Sequence, residues 1–312
     1  MMEKSIFTNL VRASDGSVST MHEGFELHSA LQPIFREAED GTLYVEAFEG
    51  LIRAGADGRA YSPADFFSHV RDEDRAMVDS LCRSLHILNA GALGRRDAIL
   101  LVNFNPGLFT TRYAIRQEID RMKLVAHEAS LSVGQIACEI CERPGDDPEV
   151  LGRFSDRLHD SGFLVAIDEY SGDDRCLERL WRLKPDLVKF DSAWVRSFVE
   201  NSAGVALLRV VVGQFVQQGI RPLLGGIEEP WQIELCRDLG GPLMQGYLLA
   251  RPEIAPTDFN QRFPESDSSL VAETNAQTSP LQRSLPAPVH QPSNGDQSRP
   301  GRPQRQFGRR GL

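Results

Sequence analysis

The chain has 312 residues, of which 41% are hydrophobic, so it can bury one large core. Its 34 basic and 44 acidic residues give a net charge of -10, which argues against broad non-specific binding of nucleic acid by the whole surface. An odd number of cysteines, the lack of a signal-peptide pattern and the lack of any apolar run near about 20 residues predict a reduced, cytoplasmic protein without a membrane span.

Apolar strand-like runs alternate along the chain with segments of helical spacing. The predicted strands are Tyr44–Arg53, Ala98–Phe104, Ile136–Cys141, Phe163–Asp168, Leu187–Asp191, Pro222–Ile227 and Leu243–Leu249. Helical spacing is found in Met77–Ala90, Pro148–Ser161 and Gly204–Gln218. This alternation predicts an α/β fold, a TIM-like (β/α)8 barrel, because an open doubly wound sheet would more usually show a Gly-rich phosphate loop after its first strand.

The composition changes after about Pro264 to Ser, Pro, Gln, Asn and Gly. Burial there cannot offset chain entropy, so we expect a disordered tail. The expected organisation is a short N-terminal segment at 1–21, a barrel domain at 22–262 and a tail rich in Pro, Ser, Gln and Arg at 263–312. Residues 299–312 contain five arginines and no acid, which suits either a solvated tail or one that contacts a polyanion or a partner.

Acids and amides stand at or next to the ends of successive predicted strands. They are Glu49, Asn103, Glu139, Asp168 and Glu169. Because the parallel strands of a barrel direct their carboxyl ends to one face, these side chains are predicted to converge on one cation or substrate. Lys189 adds a cation within an otherwise apolar strand.

The order of these motifs resembles that of the EAL family, which comprises cyclic di-GMP phosphodiesterases and their non-catalytic relatives. The motifs are Leu31-Gln-Pro-Ile34, Glu49-Gly-Leu-Ile-Arg53, Val102-Asn103, Glu139-Ile-Cys-Glu142, Ala166-Ile-Asp-Glu-Tyr170, Pro185-Asp-Leu-Val-Lys-Phe-Asp191, Gly226-Ile-Glu228, Gln232, Gln245-Gly-Tyr247 and Pro252. The resemblance covers about residues 22–262. Glu46 could also begin the signature, but Glu49 keeps the four-residue step to Arg53, so Glu46 is expected to be a surface acid.

The resemblance implies a two-metal hydrolase that uses Mg²⁺ or Mn²⁺, hard cations that prefer oxygen ligands. Glu49, Asn103, Glu139 and Asp168 would hold metal, and Lys189 would hold and polarise the attacking water. The resemblance also implies that Gln32, Arg53 and Gln245 contact the nucleotide. Glu142 would brace the loop after the paired acids. A homodimer near that loop is also implied.

Three departures from the family pattern bear on catalysis. The second of the family's paired aspartates is Glu169, which is one methylene longer. The following loop at 170–176 lacks the family's Gly-rich, aromatic pattern. Gly225 stands where the family places the glutamate often assigned as general base, a role that supplies about 10²–10⁴-fold in rate. Glu228 or Glu169 would then have to reach the water.

Two hypotheses follow from these residues. The first is a degenerate EAL-domain signalling protein that binds cyclic di-GMP or a protein partner with weak or no hydrolysis. The second is an active phosphodiesterase that converts cyclic di-GMP to linear pGpG, with Lys189, Glu228 and Glu169 as catalytic residues. A third class, a sugar-cleaving barrel with Glu49 and Glu139 flanking the glycosidic bond, draws no support from Lys189.

Overall fold

The computed structural model describes residues 10–109, 111–140 and 147–265. Its strands are β1 Leu10–Arg12, β2 Val18–His22, β3 Phe25–Glu37, β4 Leu43–Ala56, β5 Arg59–Tyr61, β6 Ile99–Phe104, β7 Ile136–Ile140, β8 Leu164–Tyr170, β9 Leu187–Phe190, β10 Arg221–Leu224, β11 Leu243–Met244 and β12 Glu253–Ile254. Its α-helices are α1 Pro63–His69, α2 Arg75–Ala92, α3 Arg112–Glu128, α4 Pro148–Asp160, α5 Asp174–Leu183, α6 Ser192–Phe198, α7 Ser202–Gln217, α8 Pro230–Asp238 and α9 Phe259–Arg262. The expected tail from residue 266 onward lies outside the described residues.

Eight of these strands close into a barrel in the order β3, β11, β10, β9, β8, β7, β6 and β4, which pairs again with β3. The predicted TIM-like barrel is therefore confirmed. Strands β4 and β6 to β11 run parallel, and helices on the outside connect most of them. This arrangement brings the carboxyl ends of seven strands to one mouth.

The strand β3 differs from the expected pattern because it runs antiparallel to both of its neighbours, β4 and β11. A tight turn explains this direction, since Ala38 and Thr42 are hydrogen bonded at 2.9 Å and no crossover helix separates β3 from β4. The hairpin register places Gln32 directly opposite Glu49. Strands β1 and β2 extend the sheet beyond β3, so the folded part begins before residue 22.

The core has two layers. Inside the barrel, small and branched residues form a buried column, listed as Ile34, Ala47, Ile99, Leu101, Ala137, Ala166, Leu187, Leu223 and Leu243. Outside the barrel, larger apolar residues pack between the strands and the helices. These inward-facing apolar residues fill the lumen below the mouth. Polar side chains two residues further along the strands therefore lie on top of a packed apolar floor.

Glu46, expected to be a surface acid, is instead partly buried at the opposite end of the barrel. The register between β3 and β4 shifts at Ile34 and Phe35, which leaves Glu46 as the extra residue of a bulge. Its carboxylate accepts from Arg36 Nε at 3.2 Å and from Arg221 at 2.5 Å. The carboxylate at Glu46 therefore belongs to an ion cluster away from the mouth.

Among the described residues, no helix is both long enough and apolar enough to cross a membrane.

The second residue of the signature, Gly50, is fixed by close packing against helix α2. A Cβ atom at position 50 would lie 2.6 Å from Cγ of His86. His86 is buried, and its Nδ1 lies 2.8 Å from the Ser29 hydroxyl. Glycine at 50 thus allows a histidine to lie against the strand that carries Glu49.

We predict that Gly50→Ala lowers the free energy of unfolding by about 1–3 kcal/mol, because the new methyl group overlaps His86. Urea unfolding measures the change. In a His86→Ala background the same substitution should cost at least about 1 kcal/mol less. Gly213→Ala in α7 is the control, since a Cβ there meets nothing within 4 Å and alanine favours helix. Equal losses in both backgrounds would contradict the steric explanation.

Candidate active site at the barrel mouth

The mouth is ringed by polar residues that follow the inward-facing apolar column by two positions. Side chains in a strand alternate with a period of two, so each of these residues faces the same way as the apolar residue before it. The pairs are Ala47 and Glu49, Leu101 and Asn103, Ala137 and Glu139, Ala166 and Asp168, Leu187 and Lys189, and Leu243 and Gln245, whereas Leu223 is followed by Gly225, which has no side chain. The structure therefore brings most of the predicted site residues to one end of the lumen.

The ammonium group of Lys189 lies among three carboxylates. Its Nζ is 3.1 Å from Glu49 Oε2, 3.8 Å from Asp168 Oδ2 and 3.9 Å from Glu139 Oε1. These three acids come from β4, β7 and β8, and the first and the last of them lie more than a hundred residues apart in sequence. Their convergence is the geometry that the strand-end pattern predicted.

The neighbouring amides complete one side of the ring. Gln245 Nε2 donates to Glu49 Oε2 at 2.7 Å, so Glu49 accepts from both an amide and an ammonium group. Gln32, which is opposite Glu49 in the hairpin, donates from Nε2 to the carbonyl of Ala250 at 3.2 Å. Both glutamines are buried, so their orientations are held by the packing around them.

The electrostatics of the ring follow from three acids sharing one cation. Burial disfavours the charged form of Lys189, but the attraction of Glu139, Glu49 and Asp168 outweighs it and raises the pKa of the ammonium. Burial raises the pKa of Glu139 well above its ordinary value, and repulsion from Glu49 and Asp168 adds to the effect of burial. A further positive charge at this mouth would relieve that repulsion.

The donor set fits a hard divalent cation in its chemistry, since Glu49, Glu139 and Asp168 offer carboxylate oxygens that face a common centre. Lys189 lies at that centre. In the part of the chain that the structure describes, no three His, Cys, Asp or Glu side chains form a ready-made cage for an ion. Binding of Mg²⁺ or Mn²⁺ there therefore requires the ammonium group to move aside.

Asn103 and Arg53 lie at the edge of the ring. Asn103 is exposed and is level with Glu139 across the parallel ladder. Arg53, four residues beyond Glu49, is partly exposed and donates to the carbonyl of Ile52 at 3.0 Å. Asn103 is thus level with an acid of the ring, and Arg53 lies four residues beyond Glu49 along β4.

Glu169 and Glu228 are both exposed. Glu169 follows a break in the pairing of β8 with β9 and has a φ of +56°. Glu228 lies in a turn that Gln232 holds, with Gln232 Oε1 accepting from the amide of Glu228 at 2.7 Å. Glu142 lies outside the described residues.

Gly225 leaves a gap beside Lys189. A Cβ built at position 225 would point toward Lys189 and lie 3.6 Å from its Cε, an ordinary contact distance. Its φ is not in the left-handed region, so larger residues are sterically possible there. A side chain at 225 would thus enter the ring, and glycine supplies none.

A cavity of about 500 Å³ opens beside the ring, between β4, β6, α1 and α2. Leu51, Phe67 and Leu108 contribute apolar wall, and Asp79 and Arg83 contribute charge. This cavity was not predicted from the sequence. Its signal was present in α2, where Asp79, Arg83 and His86 are polar residues at helical spacing on a core-facing side.

The charged residues of the cavity are held by a buried network between α2 and α3. Arg83, 1% exposed, forms ion pairs with Asp79 and with Glu118, the latter at 2.6 Å. Its guanidinium lies 3.9 Å from the centre of the Phe104 ring. Its Nη1 also lies 3.4 Å from the carbonyl of Asn103. The wall of the cavity is thereby tied to the strand end that carries Asn103.

The family model for the EAL domain matches residues 16–252 of this chain. Among curated proteins, the probable cyclic di-GMP phosphodiesterase PdeA of Escherichia coli is 31% identical over 98 residues, which are 31% of this chain and 13% of PdeA. The cyclic di-GMP phosphodiesterase NbdA of Pseudomonas aeruginosa is 25% identical and matches 73% of this chain and 29% of NbdA. The chain thus spans well under two thirds of these relatives.

Solved structures show the same fold. The manganese and cy-diGMP complex of Klebsiella pneumoniae BlrP1 is 26% identical with a TM-score of 0.63, covering 73% of this chain and 56% of that one. A standalone EAL protein from Vibrio cholerae in its c-di-GMP-bound form is 24% identical with a TM-score of 0.62, covering 78% of this chain and all of that one. The second likeness shows a shared fold.

We predict that Glu169→Gly and Glu169→Asn each raise the free energy of unfolding by about 0.5–1 kcal/mol, because both residues tolerate a positive φ better than glutamate does. Chemical denaturation of the purified chain measures it. Glu178→Gly, at an exposed position within α5, should instead lower stability by about 1 kcal/mol. A loss of stability in both position-169 variants would show that the backbone there is not strained.

Proposed function

The chain belongs to the EAL domain family, and from that premise we propose that it is a degenerate member that binds cyclic di-GMP at the barrel mouth with weak or no hydrolysis. One observation carries the proposal. The acids and the lysine of the ring are present, while position 225, which aims at Lys189, is glycine. A ring built this way keeps charge and hydrogen-bonding groups for a ligand but lacks a carboxylate at the position of the family's general base.

Recognition of the ligand would divide between the mouth and the cavity beside it. Gln32, Arg53 and Gln245 line the mouth, and the planar fork of Arg53 suits a phosphate oxygen or a guanine edge. A guanine base offers an amino donor together with the acceptors O6 and N7. Asp79 can accept and Arg83 can donate within the apolar cavity, so this cavity would take one base of the dinucleotide.

Glu49, Asn103, Glu139 and Asp168 would hold Mg²⁺ or Mn²⁺, with Glu169 as a longer ligand for a second ion. The bound metal would neutralise phosphate charge and make a coordinated water more acidic. Lys189, which now contacts Glu49 Oε2 directly at 3.1 Å, would move away from the acids and hold that water. The buried Glu139 and the partly exposed Asp168 would hold the metal beside that lysine.

The chain lacks a carboxylate at position 225 to remove the proton of the attacking water. The carboxylates of Glu169 and Glu228 are the alternatives to the missing base, and both residues are exposed to solvent. A missing general base costs about 10²–10⁴-fold in rate, or roughly 3–5 kcal/mol of barrier. Slow turnover at most is the expected consequence.

An active metal-dependent phosphodiesterase that yields pGpG is the second candidate. The observation in its favour is that three carboxylates still converge within 4 Å of Lys189, although β10 contributes no acid. In this case Glu228 or Glu169 would have to approach the water when ligand binds. If no nucleotide bound, the main function would instead be binding of a protein partner, formation of a homodimer, or binding of a polyanion by the arginine-rich tail.

The deciding measurement incubates the purified chain with Mn²⁺ or Mg²⁺ and cyclic di-GMP and follows pGpG by chromatography, with calorimetry of binding in parallel. We expect cyclic di-GMP to bind and to be hydrolysed far more slowly than one turnover per second. Turnover near one per second would contradict the proposal that the chain is a degenerate family member. Glu49→Ala and added EDTA are the controls. If residual turnover survived both, the ring would not be the site of the reaction.

We predict that Gly225→Glu raises the rate of pGpG formation by about tenfold or more, because the new carboxylate is directed at Lys189 with room for its Cβ. Gly225→Gln is the matched control, having the same shape without the base, and it should leave the rate unchanged. Gly225→Glu that binds cyclic di-GMP yet hydrolyses no faster than wild type would show that the missing base does not limit turnover.

A further inference from the structure

One side chain of helix α5, Arg179, contacts the ends of the barrel strands β7 and β8. Arg179 Nη1 donates to the carbonyl of Asp168 at 3.2 Å, and Nη2 lies 3.5 Å from the carbonyl of Ile140. Asp168 is a ring acid, and Ile140 directly follows the ring acid Glu139. One guanidinium group therefore spans the two strand ends, β7 and β8, that carry these carboxylates.

Arg179 contacts β8 at a point where the pairing between β8 and β9 is interrupted. The ladder between β8 and β9 pairs Ile167 with Val188 and resumes only at Tyr170, so it is interrupted at Asp168 and Glu169. Glu169 there has a left-handed backbone, with φ of +56°. Regular strand pairing does not fix the carbonyl of Asp168 on that side, and Arg179 donates to it at this interruption.

The loop between β8 and α5 is anchored by the same helix. Asp173 caps α5 by accepting from the amide of Cys176 at 2.7 Å. The buried Cys176 thiol accepts from the amide of Ser171 at 3.4 Å and lies 3.9 Å from the carbonyl of Glu169. This loop lacks the Gly-rich, aromatic pattern of the family, so side chains of α5 supply the bracing that the loop sequence does not.

We propose that Arg179 is a positioning residue that fixes the spacing between the carboxylates of Glu139 and Asp168 for a divalent cation. The metal part of this proposal rests on the proposed function. The planar fork of arginine has donors on separate nitrogens at a fixed spacing and can serve two separated carbonyls at once, whereas the single nitrogen of a lysine provides no such fixed spacing. A shift of about 1 Å between the two acids would spoil the near-octahedral geometry that Mg²⁺ requires.

The positioning is tested first without metal or nucleotide, by amide hydrogen exchange of the full chain. In Arg179→Met, exchange at residues 168–171 should be at least tenfold faster than in wild type, with β4 unchanged. Arg175→Met removes an exposed cation from the same helix and should change neither region. Unchanged exchange in Arg179→Met would overturn the proposal whatever the protein binds.

The second measurement is the affinity for Mn²⁺ by calorimetry. We expect binding to weaken at least tenfold in Arg179→Met, by a smaller factor in Arg179→Lys, and less than twofold in Arg175→Met. In an Asp168→Asn background the Arg179→Met substitution should cause no further loss, because it acts through Asp168. A loss of equal size in both backgrounds would overturn the proposal, since a general structural defect would add independently.

The outcomes separate this proposal from the proposed function. If wild type binds neither Mn²⁺ nor cyclic di-GMP, the proposed function fails, while hydrogen exchange still decides whether Arg179 positions the strand ends. If Arg179→Met does not fold, as judged by circular dichroism, Arg179→Lys replaces it in both measurements. Wild-type exchange and wild-type Mn²⁺ affinity in that variant would overturn the proposal.

Discussion

The convergence of three carboxylates on one ammonium group is the constraint on which the rest of the mouth depends. Lys189 lies within 4 Å of acids from three strands, and its charge offsets only part of theirs. Burial makes the imbalance more costly, since Glu139 is 1% exposed. The packed apolar floor, the amide of Gln245 and the Arg179 guanidinium at the ends of β7 and β8 surround these like charges. Such an arrangement is retained at sites that bind a cation or a charged ligand.

The sequence was sufficient to predict the barrel and the position of its site. Apolar strand-like runs alternating with segments of helical spacing identified seven strands of the barrel, and strand β9 was placed within one residue. The strand-end acids Glu49, Glu139 and Asp168 were predicted to meet because parallel strands share a direction, and they do meet around Lys189. These inferences succeed because they depend on local pattern and on fold topology alone.

Other features depended on contacts that a single sequence does not display. The strand β3 was missed as a strand because polar residues and Pro33 interrupt its apolar residues, although most of the strand is buried. The bulge that turns Glu46 toward Arg221 depends on a one-residue shift between strands. Nothing in the sequence marks Arg179, since only the three-dimensional fold brings its guanidinium to the ends of β7 and β8. The cavity beside the ring required knowledge of which side of α2 faces the barrel.

The reversed strand β3 has a consequence for how the chain acquires its fold. Because β3 completes the ring by pairing with β11 and β12, residues near 30 must find partners beyond 240. Contacts of such large sequence separation close slowly, and an unpaired strand edge exposed meanwhile favours association with other chains. During synthesis the hairpin of β3 and β4 can form early, but the cylinder can seal only after nearly the whole barrel has left the ribosome. Truncation shortly before β11 should therefore yield an open, aggregation-prone sheet rather than a smaller domain.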